Sequence, residues 1–440
     1  MVPSHRVGGP VLRMSPVGPT AVEPSRGGRD FGLLWGGAGL AVLGGRATAF
    51  AYPLVVLWAT DSSGAAGLVG FALLLPHLLV QLPGGALVDR VDRRRLMTAC
   101  GLGSALVAAG AAAALLSGAV WLPHLLVSAF LEGVFTVLYQ LAERSAVPAL
   151  VPPDRLPVAL TRNEARTRAA SVLGQPAGSA LAGLGAGFPF VFALVAHLGS
   201  VVFLARIRGP LRSPADGAAP AAPASPRALA REVGEGLAWL WGQPFLRSVM
   251  VAVAVSNVLF QGLNLAVMAA VKDAGGAVAT VGAITAMSGV GGLVGSLCGA
   301  WWMRRYGMRA LVVGGLAAWT ALMLPVAGTR DAVALGALFA GSGYVGGVFN
   351  VVVGVHLTRA APDHLRGRAN SVAMLVSSGA MAMGPPAAGF LLAAVGPART
   401  ILALGAAMGV TSAATALSRA LRIEEPIPAR PKGVEARSTS

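Results

Sequence analysis

The chain has 440 residues, 55% hydrophobic and only 12% charged, with a mean hydropathy of +0.69 and a formal charge of +16 at pH 7. That composition excludes a soluble globular domain, because so few charged groups cannot cover the surface of one. It also excludes a nucleic-acid binder: the arginines fall in short loops between apolar runs instead of on one soluble face, which is a membrane-topology signal.

Residues 1–29 read as a disordered basic tail with no apolar core, and so as no cleavable signal peptide. Twelve apolar spans follow, over 31–59, 64–84, 96–117, 121–142, 167–186, 188–206, 245–271, 279–303, 309–328, 332–357, 371–395 and 398–420. Each is near or above the ~20 residues that cross a bilayer core. The chain is thus predicted to be an all-α polytopic membrane protein.

The charges alternate with the spans. One side of the predicted membrane holds only Lys272, Arg330 and Arg399 among the basic residues, and Arg46 lies within a span. The remaining arginines gather on the other side, which places both termini in the cytoplasm. Basic residues comprise 32 Arg and 2 Lys, a bias that suits a GC-rich bacterial genome. Cys100 and Cys298 lie in or at apolar runs, so neither a disulfide framework nor a metal site is expected. No phosphate-binding loop, nucleophile elbow or dinucleotide fingerprint is present, so neither an enzyme nor a cofactor is predicted.

Between the second and third spans, Gly84 and Gly85 are followed by six charges in seven residues, Asp89 to Arg95. The glycines allow close approach at a helix end, and Asp89 is expected to be paired with its neighbouring arginines. The order of Gly85, Asp89, Arg90, Arg93 and Arg94 resembles the loop 2–3 signature of the major facilitator superfamily. With Asp92 where many members carry glycine, it is most similar to the enterobactin-exporter and macrolide-efflux type of drug–proton antiporter. Arg162-Asn163-Glu164-Ala165-Arg166 and Pro362 to Asn370 resemble that subgroup too. The resemblance implies two six-helix bundles, here 30–206 and 245–422, and a loop that latches them together on the cytoplasmic side.

Internal repetition agrees with that plan. Pro153-Asp154-Arg155-Leu156 recurs 209 residues later as Pro362-Asp363-His364-Leu365, and loop 8–9 keeps Arg304, Arg305 and Arg309 but no acid. The connection 207–244 starts as a flexible Ala/Pro/Ser linker and ends, over 227–241, as an amphipathic helix on the inner leaflet. Residues 423–440 form a second disordered cytoplasmic tail.

Ionisable groups within spans are costly and mark cavities or partners. Arg46 and Glu132 are expected to face one another as a proton-linked ion pair, with Thr136 and Gln140 on the same polar stripe of span 4 and Glu143 as a loop anchor. Relatives carry acids where Gly45 and Gln140 stand here, so the resemblance carries no proton site over directly. Asn257, Gln261 and Asn264 share a face of span 7 and, with Tyr344 and Asn350 of span 10, are expected to line a substrate cavity. Gly174, Pro176 and Gly178 resemble the helix-bending motif of drug–proton antiporters. His77, His124, His197 and His356 have no ligand spacing and read as packing residues.

The expected function is secondary transport: proton-coupled export of a small hydrophobic or amphipathic compound from the cell by a bilayer-embedded monomer. The alternatives are a siderophore exporter, an uptake facilitator of the same fold, and a non-transporting sensor or assembly protein.

Overall fold

The computed structural model describes residues 24–209, 211, 226–362 and 365–419. The expected tails (except from residue 24 inward), most of the Ala/Pro/Ser stretch, Asp363 and His364 lie outside them. The described chain is all α apart from one short 3-10 turn: α1 (Pro24–Thr60), α2 (Ser63–Leu79), α3 (Gln81–Val88), α4 (Arg93–Leu116), α5 (Leu122–Leu150), α6 (Leu156–Leu184), α7 (Phe188–Ala205), α8 (Pro226–Gly242), α9 (Pro244–Asp273), α10 (Val278–Arg305), α11 (Met308–Met323), α12 (Ala332–Ala360) and α13 (Arg366–Leu417). Among the described residues nine helices are long and apolar enough to cross a membrane, or ten with α2 and α3 taken as one bent span. The expectation of twelve rests further on α6, whose first half is charged, and on α13 counting twice.

Local chemistry sets these boundaries. Ser62, Asp92 and Asp331 cap α2, α4 and α12 by accepting from the backbone N–H three residues on. Asp92, at the glycine position of the charged loop, therefore serves as a helix cap. Pro83 has no N–H for the carbonyl of Leu79, and α2 and α3 meet there at 50°. Gly396, at φ 78, breaks α13 just before Pro397, at the gap expected between the last two spans. Leu106, Leu184, Leu297 and Val333 are at least 75% exposed, as lipid-facing side chains are.

One end of the bundle carries most of the arginines, the other few. At the arginine-poor end, α1–α7 and α9–α13 are tied together. Lys272 Nζ donates to the carbonyl of Leu57 (2.7 Å) and to Asp61, a non-glycine residue at positive φ (54). Ser63 Oγ donates to the Gly389 carbonyl at 3.0 Å, and Ser179 Oγ to that of Val278 at 2.5 Å. Every described hydrogen bond and ion pair between the two groups of helices lies at this end. A Cβ on Gly67 would stand 2.5 Å from the carbonyl oxygen of Pro385, so α2 and α13 touch backbone to backbone. Along α6 and α10 the contact runs to Gly289 over Val172; beyond it their facing sides line a cavity.

Candidate functional site

Two cavities meet at Arg46. The deeper, about 270 Å³, lies among α1, α2, α4, α5 and α7, with Ser378 and Met381 of α13 at its edge. The wider, about 440 Å³, lies between α6 and the helices α9, α10 and α12. Arg46 lines both, its side chain exposed to their space and without a described hydrogen bond or ion pair.

The packing of α1 puts it there. Gly44 lets α1 close on α7, where a Cβ would meet that of Ala196 at 2.9 Å. Gly174 and Gly178 let α6 close on α1, where their Cβ atoms would meet Arg46 Cβ at 2.5 Å and Ala47 O at 2.3 Å. Gly174 and Gly178 therefore act in the close packing of α6 on α1, and α6 is one α-helix that contains Pro176. Pro176 itself turns to α10, where its Cα lies 3.1 Å from the Cβ position of Gly282.

Glu132 does not pair with Arg46. Its Oε1 lies 3.2 Å from Nε2 of His197 on α7, both side chains being at most 5% exposed. A residue step of ~100° separates Gly45 from Arg46 on α1. Gly45 faces α5, and a Cβ there would stand 3.7 Å from Glu132 Oε1 and 3.8 Å from Thr136 Oγ1, whereas Arg46 turns to the gap between the helix groups. The carboxylate of Glu132 thus faces α1 at Gly45. Thr136 and Gln140 line the same cavity, as their helical spacing predicts. His197, expected to be a packing residue, is instead the partner of the acid; its signal in the sequence is only that it is ionisable within an apolar run.

One turn beyond Gln140, Glu143 anchors α6. Arg166 Nη2 donates to Glu143 Oε1 at 2.6 Å with both side chains 6% exposed, and Nη1 donates to the Trp35 carbonyl at 3.3 Å. Arg166→Met is expected to cost about 3–5 kcal/mol by leaving Glu143 as an uncompensated buried charge. Thermal unfolding in detergent checks this, and Arg166→Met with Glu143→Leu should recover most of the loss.

Of the five expected substrate-cavity residues, Asn257 and Asn350 line the wider cavity, with Asn257 donating to Ser377 Oγ at 2.6 Å. The other three are turned to packing. Gln261 lies against Gly384, Asn264 donates to the Phe260 carbonyl (3.1 Å) and Gln261 Oε1 (3.4 Å), and Tyr344 accepts from Trp302 Nε1 at 2.7 Å. A shared helix face permits all three amides to point one way, but α13 lies across part of that face.

The charged loop also departs from expectation. Asp89 caps the C-terminus of α3, is exposed, and has no ion-pair partner among the described residues; Arg90 is exposed beside it. Arg93 donates to the carbonyl of Leu211 at 3.1 Å, and Arg94 to those of Ile207 and Gly209. The described hydrogen bonds of these arginines fasten the chain leaving α7. Gly84 packs under Leu138 and Leu141 of α5, while Gly85 faces open space.

Known proteins share this architecture. The family model described as Major Facilitator Superfamily matches residues 34–271 and 249–440. The multidrug efflux pump Tap of Mycolicibacterium fortuitum is 28% identical over 390 residues, covering 86% of this chain and 91% of Tap. Among solved structures, the nucleoside transporter NupG superposes with a TM-score of 0.68 at 14% identity, over 90% of this chain and 100% of NupG. A bacterial homologue of the human lysosomal transporter Spinster, inward-facing and unoccupied, gives 0.67 at 16%, over 91% and 98%. A bacterial homologue of the iron transporter ferroportin, also inward-facing, gives 0.67 at 16%, over 89% and 99%.

Proposed function

We propose, given that this chain belongs to the Major Facilitator Superfamily and is a multi-pass membrane transporter rather than an enzyme, that it exports small hydrophobic or amphipathic compounds in exchange for protons. One observation carries the reading: a buried carboxylate, Glu132, sits on a cavity deep among the spans and, among the described residues, its hydrogen-bond partner is an imidazole. A carboxylate there is costly unless it is paired or protonated, and protonation is the change of state open to it.

The rest of the geometry is compatible with alternating access. Residues 30–206 and 245–422 act as two bundles joined by 207–244, and the arginine-rich end faces the cytoplasm by the positive-inside rule. With the arginine-poor end tied by Lys272, Ser63 and Ser179, the state described opens inward. Substrate enters the wider cavity, where Phe260, Trp319 and Phe349 offer apolar walls and Asn257 and Asn350 offer amides. Asp89 and its arginines latch the cytoplasmic side only in the opposite state. The likeness to Tap favours export of drug-like compounds over the other substrate classes.

The test is accumulation of a panel of fluorescent dyes and antibiotics in cells expressing the protein, with and without a protonophore. Expression should lower accumulation of at least one compound, and the protonophore should remove the difference. Export that survives collapse of the proton gradient would sink the coupling.

A further inference from the structure

Glu132 shares its cavity with two histidines. We propose that Glu132 and His197 hold the exchanged proton jointly, as a carboxylate–imidazole pair, and that His77 passes it between that pair and the cavity. This rests on the proton-coupled reading above and names the groups that would perform it.

The pair is built by three helices. Gly101 of α4 lets α7 approach, its Cβ position lying 2.8 Å from Val201 Cγ2 and 3.9 Å from the His197 carbonyl. That packing sets His197 on the cavity wall opposite Glu132, with Nε2 3.2 Å from the carboxylate. At so short a range and so little exposure, a proton on either group changes the charge felt by the other. The pair has the same total charge whether the shared proton sits on oxygen or nitrogen, and only the arrival or departure of a further proton changes its net charge.

His77 meets the same cavity from α2. Its helix is pressed onto α5 next to Glu132: a Cβ on Gly133 would lie 2.4 Å from the Leu73 carbonyl and 2.8 Å from Pro76 Cγ. His77 is the residue after Pro76, and its Nδ1 is buried with no hydrogen-bond partner. A buried ring nitrogen left without a partner is costly, and this one belongs to a ring that lines the same cavity as the pair, next to the Leu74 backbone and within the field of the Arg46 cation. In a transfer, His77 takes a proton from cavity water at one ring nitrogen and gives one up from the other, ending as the other neutral tautomer, which a ring flip or an exchange of protons with cavity water resets.

Other groups do not compete for this role. On α1, Arg46 is a fixed cation and Tyr52 lies beside Glu132 and Ser128. Cys100 of α4 and Tyr139 of α5 also line the cavity, Tyr139 bonded to Ser200 at 2.9 Å. From α6, Arg166 is committed to Glu143, and α13 contributes only the neutral Ser378 and Met381.

The full chain in lipid nanodiscs, titrated with pH, tests this without a transported compound. Infrared difference spectroscopy follows the C=O stretch of protonated carboxyls, and Glu132→Gln identifies the Glu132 band. His197→Gln is expected to move its midpoint by about one pH unit or more to higher pH, a tenfold change in proton affinity, because glutamine can donate a neutral hydrogen bond but cannot carry the positive charge that favours the carboxylate. His77→Gln should leave the midpoint in place and slow proton uptake after a pH jump about tenfold. In wild-type protein, nitrogen-15 NMR of the histidines should show one imidazole titrating with the same midpoint as the band, a measurement that does not depend on any variant folding. A midpoint unmoved in His197→Gln, with no imidazole titrating alongside the band, overturns the pair while leaving Glu132 as the proton site. A spectrum unchanged by Glu132→Gln overturns the proton-coupled reading itself.

Discussion

Glu132→Gln is expected to return drug accumulation to the level of cells that lack the transporter, while exchange of drug across the membrane continues. Glutamine keeps the size and hydrogen-bonding capacity of the protonated acid, so the bond to His197 survives and the α5–α7 contact has no reason to open. What disappears is the change of charge at the cavity wall, and with it the energy drawn from the proton gradient. Counterflow of labelled substrate in proteoliposomes should therefore persist, and concentrative export driven by an imposed pH gradient should fall by at least about tenfold, the loss of ~1.4 kcal/mol or more of coupling. Export at wild-type rates in this variant would make the Glu132–His197 bond a packing feature and place the coupling group elsewhere. Loss of counterflow together with export would point to misassembly instead.

Gly343→Val is expected to prevent the α10–α12 pair from assembling. The two helices run in the same direction with their backbones in contact. A Cβ on Gly343 would lie 1.9 Å from the Ser288 carbonyl oxygen, one on Gly291 1.9 Å from that of Ala340, and one on Gly295 2.0 Å from that of Tyr344. No rotamer relieves a clash between Cβ and main chain; the helices must separate along their length. In lipid the packing of small residues is itself what holds helices together, so separation loses dispersion contacts on both faces. A cost of about 3 kcal/mol or more follows, at the upper end for overpacking. The variant should show little monodisperse protein on size exclusion and a lowered unfolding temperature. Gly314→Ala, at a glycine with open space around it, should match wild type. Normal yield and stability for Gly343→Val would mean that the two backbones can part without loss.

Some of the candidate site is legible in the sequence. Glu132, Thr136 and Gln140 recur at four-residue intervals on α5, and all three line the deeper cavity. Arg46 stands out as a charge within a span, and it does line both cavities. Its expected pairing with Glu132 fails because spacing along a helix fixes only which side chains share a face. Which helix lies across that face is a separate question: His197 is 65 residues from Glu132, and Ser377 is 120 from Asn257. The same limit applies to the loop arginines. Their charge predicts an acidic partner, yet Arg94 settles on the carbonyls of Ile207 and Gly209, just past α7, which no charge pattern marks.

The helices, their rough ends and the gathering of arginines at one end of the bundle follow from the order of residues. Apolar length, arginine placement and breakers such as Gly396 act over a few residues, and a bilayer leaves a backbone little choice but to satisfy itself within each span. Packing between helices settles the rest: that α6 extends outward through the charged stretch before residue 167, that Glu132 bonds an imidazole, and that Arg46 looks into open space. Those outcomes depend on close approach at Gly44, Gly133, Gly174 and Gly178. A glycine announces that something can come near, and only the assembled bundle says what does.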